Sequence, residues 1–141
     1  GRPAESTVAI AQLMFSGVLE RHPDLVLCLV HGGGFLPYQL GRWEKGFGVV
    51  PHLTQQHIST PPRELARRLY YDSLVHIPEA LEYLVRVVGA DRVVTGSDYP
   101  YEMHERRPVE AVRRTALSAA DQDLILSRNV ERLLGEIKGR A

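Results

Sequence analysis

Residues Val26–Gly34 read VLCLVHGGG, and the fold follows from this stretch. The apolar run Val26–Val30 is unbroken and ends on His31, with Gly32, Gly33 and Gly34 directly after it. A continuous run of this length suits a strand buried on both faces, as in a parallel sheet. A histidine at its C-terminal end stands where α/β folds place their chemistry. The glycines allow a sharp turn and leave space beside the imidazole. A second stretch, Val93–Pro100 (VVTGSDYP), repeats the design and delivers Asp98 at a Gly- and Pro-flanked exit.

The pattern spreads outward from these two strands. Ile10, Leu13, Met14, Gly17 and Val18 follow the spacing of one buried helical face, with Ser6 or Thr7 as the cap and Gly1–Glu5 as a loop in which Pro3 keeps Arg2 extended. A helix is predicted over Leu36–Gly46, mostly loop over Val49–Arg63, and a strand centred on Leu69–Ser73. Pro78 suits a first helical position; Leu81, Leu84, Val85 and Val88 mark that helix, and Gly89 its end. Val109–Ala116 is predicted helical. Ser118 to Asp121 resembles a capping box for a last helix carrying Leu124, Ile125, Leu133 and Leu134, with a frayed tail from Lys138. Strands alternating with amphipathic helices predict an α/β fold with a parallel sheet. A complete eight-stranded α/β barrel needs about 250 residues, so 141 residues supply only part of one, as a single unit without repeat or linker.

Composition narrows the function classes. The 17 Lys and Arg balance 17 Asp and Glu, so no basic surface is expected to attract nucleic acid or anionic lipid. The single cysteine, Cys28, forms no disulfide framework and is expected to be a buried thiol. No signal peptide or membrane-spanning run is present in the sequence, and a cytoplasmic protein is the default expectation.

His31 and Asp98 form the leading pair. Imidazole and carboxylate are ligands for zinc and similar ions, and they also make a general base with its partner. The alternative is a helix-capping aspartate and a satisfied core histidine. Arg42, in the next predicted helix, can clamp a carboxylate or lie on the surface. Asp72, Ser73 and His76 end another strand and can line the same rim, although Asp72 can equally cap a turn. His52, His57 and His104 fall in predicted loops. Trp43, Tyr99 and Tyr101 can wall a pocket or simply pack, and His22 suits a helix end. The glycines lack dinucleotide-fingerprint spacing, and G-x-S-x-G is absent.

GRPAEST, SGVLERHPDL, HGGGFLPYQLGR, YYDSLVH, VGADRVVTGSDYP and N-x-x-R-L-L-G at Asn129–Gly135 occur in this order. Through them the chain resembles the amidohydrolase-related family of metal-dependent barrels, most closely its aminocarboxymuconate-semialdehyde decarboxylases. The resemblance implies the C-terminal half of a (β/α)8 barrel that binds one divalent metal, usually zinc. It implies that Asp98 is a metal ligand and that His31 takes the proton of the metal's water or lies against the metal. It implies that Arg42 binds a substrate carboxylate across a dimer interface, and that Tyr101 stands where the family has a pocket aromatic, usually phenylalanine. The family's H-x-H and fifth-strand histidine have no counterpart in these residues; their segments are expected before Gly1.

The expected activity is therefore non-oxidative decarboxylation of an unsaturated or aromatic carboxylate, without an organic cofactor. The alternatives are metal-dependent hydrolysis of a C–N, C–O or lactone bond, and an inactive half-barrel. A homodimer or larger assembly is expected, because an open sheet exposes edges and an apolar face.

Overall fold

The computed structural model of the chain describes residues 1–139. Its order is α1 (Arg2–Phe15), α2 (Val18–Arg21), β1 (Cys28–Leu29), α3 (Leu36–Val49), α4 (Pro51–Thr54), α5 (Pro62–Ala66), β2 (Tyr70–Asp72), α6 (Pro78–Val88), β3 (Val93–Val94), α7 (Pro108–Arg113), α8 (Ala119–Asp123) and α9 (Asn129–Lys138). The strands form one parallel sheet in the order β1-β2-β3, with Leu29 opposite Tyr71 and Tyr71 opposite Val93. Parallel neighbours need crossover connections, and helices supply them.

Side chains alternate across the sheet. Leu29, Tyr71 and Val93 face the helices, in a core with Ile10 and Met14 of α1, Leu36 and Leu40 of α3, and Leu84 and Val88 of α6. Tyr70 and Val94 face the other way and are covered by Val26 and Leu133. The spacing of Ile10 and Met14, and of Leu81, Leu84 and Val88, buries one stripe of each helix as predicted, but α1 ends at Phe15, left-handed Gly17 (φ 78°) separates it from Val18 on α2, and Ser6 and Thr7 lie inside α1 instead of capping it. Ser118 caps α8, its hydroxyl accepting from the Asp121 N–H at 3.1 Å.

Several expectations are corrected. Gly1–Glu5 is not a loop: α1 begins at Arg2, because a proline in a first turn gives up only an N–H that has no partner there. The helix from Leu36 continues to Val49, and the predicted loop over 49–63 contains α4 and the start of α5. Val26–Val30 is not a strand buried on both faces. Only Cys28–Leu29 is strand, Val30 is half exposed, and Cys28 is exposed rather than buried. The reason is position: β1 is a sheet edge, and among the described residues nothing pairs with its outer side. The last helix is interrupted by a π-turn at Leu124–Arg128, which frees the Ile125 carbonyl to accept from the Thr95 N–H (3.0 Å) and Oγ1 (2.9 Å). The frayed tail expected from Lys138 lies mostly outside the described residues, since α9 runs to Lys138 and residues 140 and 141 are not described.

Candidate active site

The C-terminal ends of the three strands are tied together by side chains. Asp72 Oδ1, at the end of β2, accepts from the Gly32 N–H at 2.8 Å and from the Leu74 N–H at 3.1 Å. Ser73 Oγ accepts from the Gly96 N–H at 3.2 Å. Gly96 must be glycine for this approach, since a Cβ there would lie 2.9 Å from the Asp72 Cβ. The turn after β1 is therefore pinned to β2, and β2 to the loop after β3. Asp72 and Ser73 serve these bonds, so Asp72 follows its turn-capping reading.

His31 and Asp98 emerge from the two outer loops and meet. His31 Nε2 lies 3.7 Å from Asp98 Oδ2, with about a fifth of each side chain exposed (20% and 21%). The gap is too long for a hydrogen bond. The other ring nitrogen, Nδ1, is buried and has no hydrogen-bond partner among the described residues. An open cleft of about 640 Å³ lies over the pair, lined also by Arg2, Phe35, His76 and Tyr101.

The backbone singles out the same cleft. Among the described residues, left-handed conformations at non-glycine positions occur at His31 (φ 57°), His76 (φ 64°) and Asp98 (φ 62°), and all three line it. Each costs on the order of 1 kcal/mol, and such strain gathers at functional sites.

The remaining candidates divide. Tyr101 lines the cleft mouth and is held by its N–H bond to the Asp98 carbonyl at 3.0 Å. Arg42 is exposed on α3 and is not part of this cleft. Tyr99 stacks edge-on against His104 at 5.9 Å, outside the cleft lining. Trp43 packs edge-on against Phe15 at 5.6 Å, which is its structural reading. His52 and His57 are exposed, and His22 ends α2. Cys28 is exposed at its surface, yet partial desolvation and the nearby Asp72 charge push its thiol up to about 11. Arg2 was not foreseen as a cleft residue, since Pro3 reads as easily as a loop signal as a first-turn residue. Asn129 and Arg132, prominent in the closing motif, are structural. Buried Asn129 donates to the Ala90 and Val93 carbonyls, both at 2.7 Å, and Arg132 to the Asp91 carbonyl at 2.6 Å.

The family profile named Amidohydrolase matches residues 1–135. The chain belongs to the amidohydrolase family. The 2-amino-3-carboxymuconate-6-semialdehyde decarboxylase of Dictyostelium discoideum is 38% identical over 138 residues, 96% of this chain and 38% of that protein. The amidohydrolase fold is matched in solved structures. The 5-carboxyvanillate decarboxylase LigW of Sphingomonas paucimobilis superposes with a TM-score of 0.83 at 24% identity, covering 93% of this chain and 40% of that one. The dihydroxybenzoic acid decarboxylase of Polaromonas, solved with bound manganese and the inhibitor 2-nitroresorcinol, gives 0.82 at 23% identity, covering 94% and 40%. This amidohydrolase chain thus spans about two-fifths of the length of these relatives. No helix among the described residues is long and apolar enough to cross a membrane.

The metal expected of an amidohydrolase can be tested against the donors present. Asp98 Oδ2 is the carboxylate oxygen turned to the cleft, and His31 Nε2 lies 3.7 Å from it, so an ion held by Asp98 would have His31 beside it. Among the described residues no group of three or more His, Cys, Asp or Glu is placed to hold an ion, so its coordination shell needs donors from outside this set.

Proposed function

We propose that the intact protein carrying this chain is a metal-dependent, non-oxidative decarboxylase of a small aromatic or unsaturated carboxylate, and that the chain is one unit within its barrel. The gathering of all three left-handed non-glycine residues, His31, His76 and Asp98, around one cleft at the strand ends carries this reading. The decarboxylase names of the relatives, and the manganese in the Polaromonas structure, support its finer part.

Asp98 supplies a metal ligand through Oδ2, and His31 lies beside it. A bound divalent ion, zinc or manganese, would supply Lewis-acid polarisation of a substrate oxygen. Decarboxylation breaks the bond between the carboxylate carbon and its ring or vinyl carbon. The electron pair stays on that carbon, CO2 leaves, and a proton must replace it. His31 Nε2 faces the cleft and moves that proton. Its ring is held by the turn that Asp72 pins, so its reach into the cleft is set in advance. Tyr101 walls the cleft. Arg42, exposed on α3, suits a carboxylate contact in the site of a second copy, within a homodimer. The cytoplasm is its proposed compartment, in keeping with a single unpaired cysteine.

The test is product analysis with the metal-loaded intact protein. Aromatic carboxylates are expected to release one CO2 for each acid consumed. Hydrolysis of aryl esters or lactones, with no CO2 from any carboxylate, would replace decarboxylase by hydrolase.

A further inference from the structure

We propose that Arg2 is an anion clamp of this cleft, acting within its own chain and presented by the ring of Tyr101. The assignment rests on the decarboxylase reading only for the identity of the anion, a small aromatic carboxylate.

Arg2 opens α1 and lines the cleft with His31 and Asp98. Its guanidinium carbon lies 4.9 Å from the centre of the Tyr101 ring, and no other side-chain partner occupies it among the described residues. A guanidinium on an aromatic face keeps its N–H edge free for a carboxylate, which it grips with two parallel hydrogen bonds.

Two sets of backbone contacts fix this placement. On one side the first turn of α1 is seated on the His31 turn. Thr7 Oγ1 accepts from the Phe35 N–H at 2.8 Å and donates to the Pro3 carbonyl at 2.8 Å. A Cβ on Gly34 would lie 2.4 Å from that same carbonyl. On the other side, Tyr101 is tied to Asp98 through its N–H. Arg2 therefore spans the mouth of the cleft between the loop of His31 and the loop of Asp98. Tyrosine at 101, where the resemblance expects phenylalanine, still presents the aromatic face that the guanidinium requires.

The experiment is calorimetric titration of the intact metal-loaded protein with salicylate and with its uncharged amide, salicylamide. Arg2→Met is expected to weaken salicylate at least about tenfold, the loss of one charge-assisted contact, and to leave salicylamide within about twofold. Arg2→Lys is expected to restore part of the salicylate affinity. Tyr101→Leu should reproduce the Arg2→Met effect, while Tyr101→Phe should not. In turnover the loss should appear in KM rather than kcat. Unchanged salicylate affinity in Arg2→Met overturns the clamp, as does an equal loss for both probes or no salicylate binding to the unsubstituted protein. Arg2-dependent salicylate binding without CO2 release from any carboxylate leaves the clamp standing and removes the decarboxylase reading. Continued CO2 release with full salicylate affinity in Arg2→Met does the reverse.

Discussion

Replacing Asp72 with alanine isolates what holds His31 in place. Asp72 Oδ1 takes the N–H of Gly32 at 2.8 Å and that of Leu74 at 3.1 Å. Gly32 is buried, so its N–H has no ready access to water. A hydrogen bond to a charged acceptor contributes about 1.5–3 kcal/mol, and the half-buried carboxylate takes the lower end for each, or about 3 kcal/mol for the pair. Much of the penalty falls on the turn itself, which already carries the left-handed strain of His31. Freed from Asp72, the turn relaxes and His31 leaves Asp98. If the whole penalty falls there, turnover drops about 150-fold. Asp72→Asn keeps an Oδ1 acceptor and should cost about 1 kcal/mol and no more than about tenfold in rate. Urea unfolding and steady-state turnover of the intact protein measure both effects. Asp72→Ala with a stability loss below about 0.5 kcal/mol and near-normal turnover would refute the pinning role.

Three further outcomes are expected. Gly34→Ala should destabilise by about 3 kcal/mol or more in thermal unfolding, because φ is +64° and the new Cβ would meet the Pro3 carbonyl. Asn129→Leu conserves volume but takes the Asn129 amide donor from the Ala90 and Val93 carbonyls, of which Ala90 keeps the Val93 N–H, for a loss of about 2 kcal/mol in urea unfolding. The Glu20 carboxyl is held below its ordinary value of 4.5, chiefly by the Thr60 backbone N–H. A depressed folded value adds stability that is complete above the unfolded pKa and is lost as pH falls through the folded one. Glu20→Gln should therefore lower the melting temperature more at about pH 6 than at about pH 3; an equal effect at both would remove the electrostatic contribution.

Much of the fold is legible because it depends on local spacing. Ile10 and Met14, then Leu81, Leu84 and Val88, report their buried faces through a helical period that no distant contact alters. The exposure of β1 is not legible. Val26–Val30 reads the same in a central strand as at an edge, and only the strands beside it decide. The His31–Asp98 pairing is legible as two strand exits, but their 3.7 Å separation depends on the parallel order β1-β2-β3. Asp72 and Ser73 are visible as rim residues, whereas their partners Gly32 and Gly96 come from other strand ends. Arg2 escaped because Pro3 permits two local structures, and contact with the His31 turn selects the helix.

Bound metal and CO2 release, measured together in Asp98→Ala and His31→Ala variants of the intact protein, separate a metal held by Asp98 from a proton moved by His31. Asp98→Ala is expected to lose both the ion, by elemental analysis after dialysis, and the activity. His31→Ala is expected to keep most of the ion and lose CO2 release. Near-normal CO2 release from both variants, with metal content unchanged, would contradict the account.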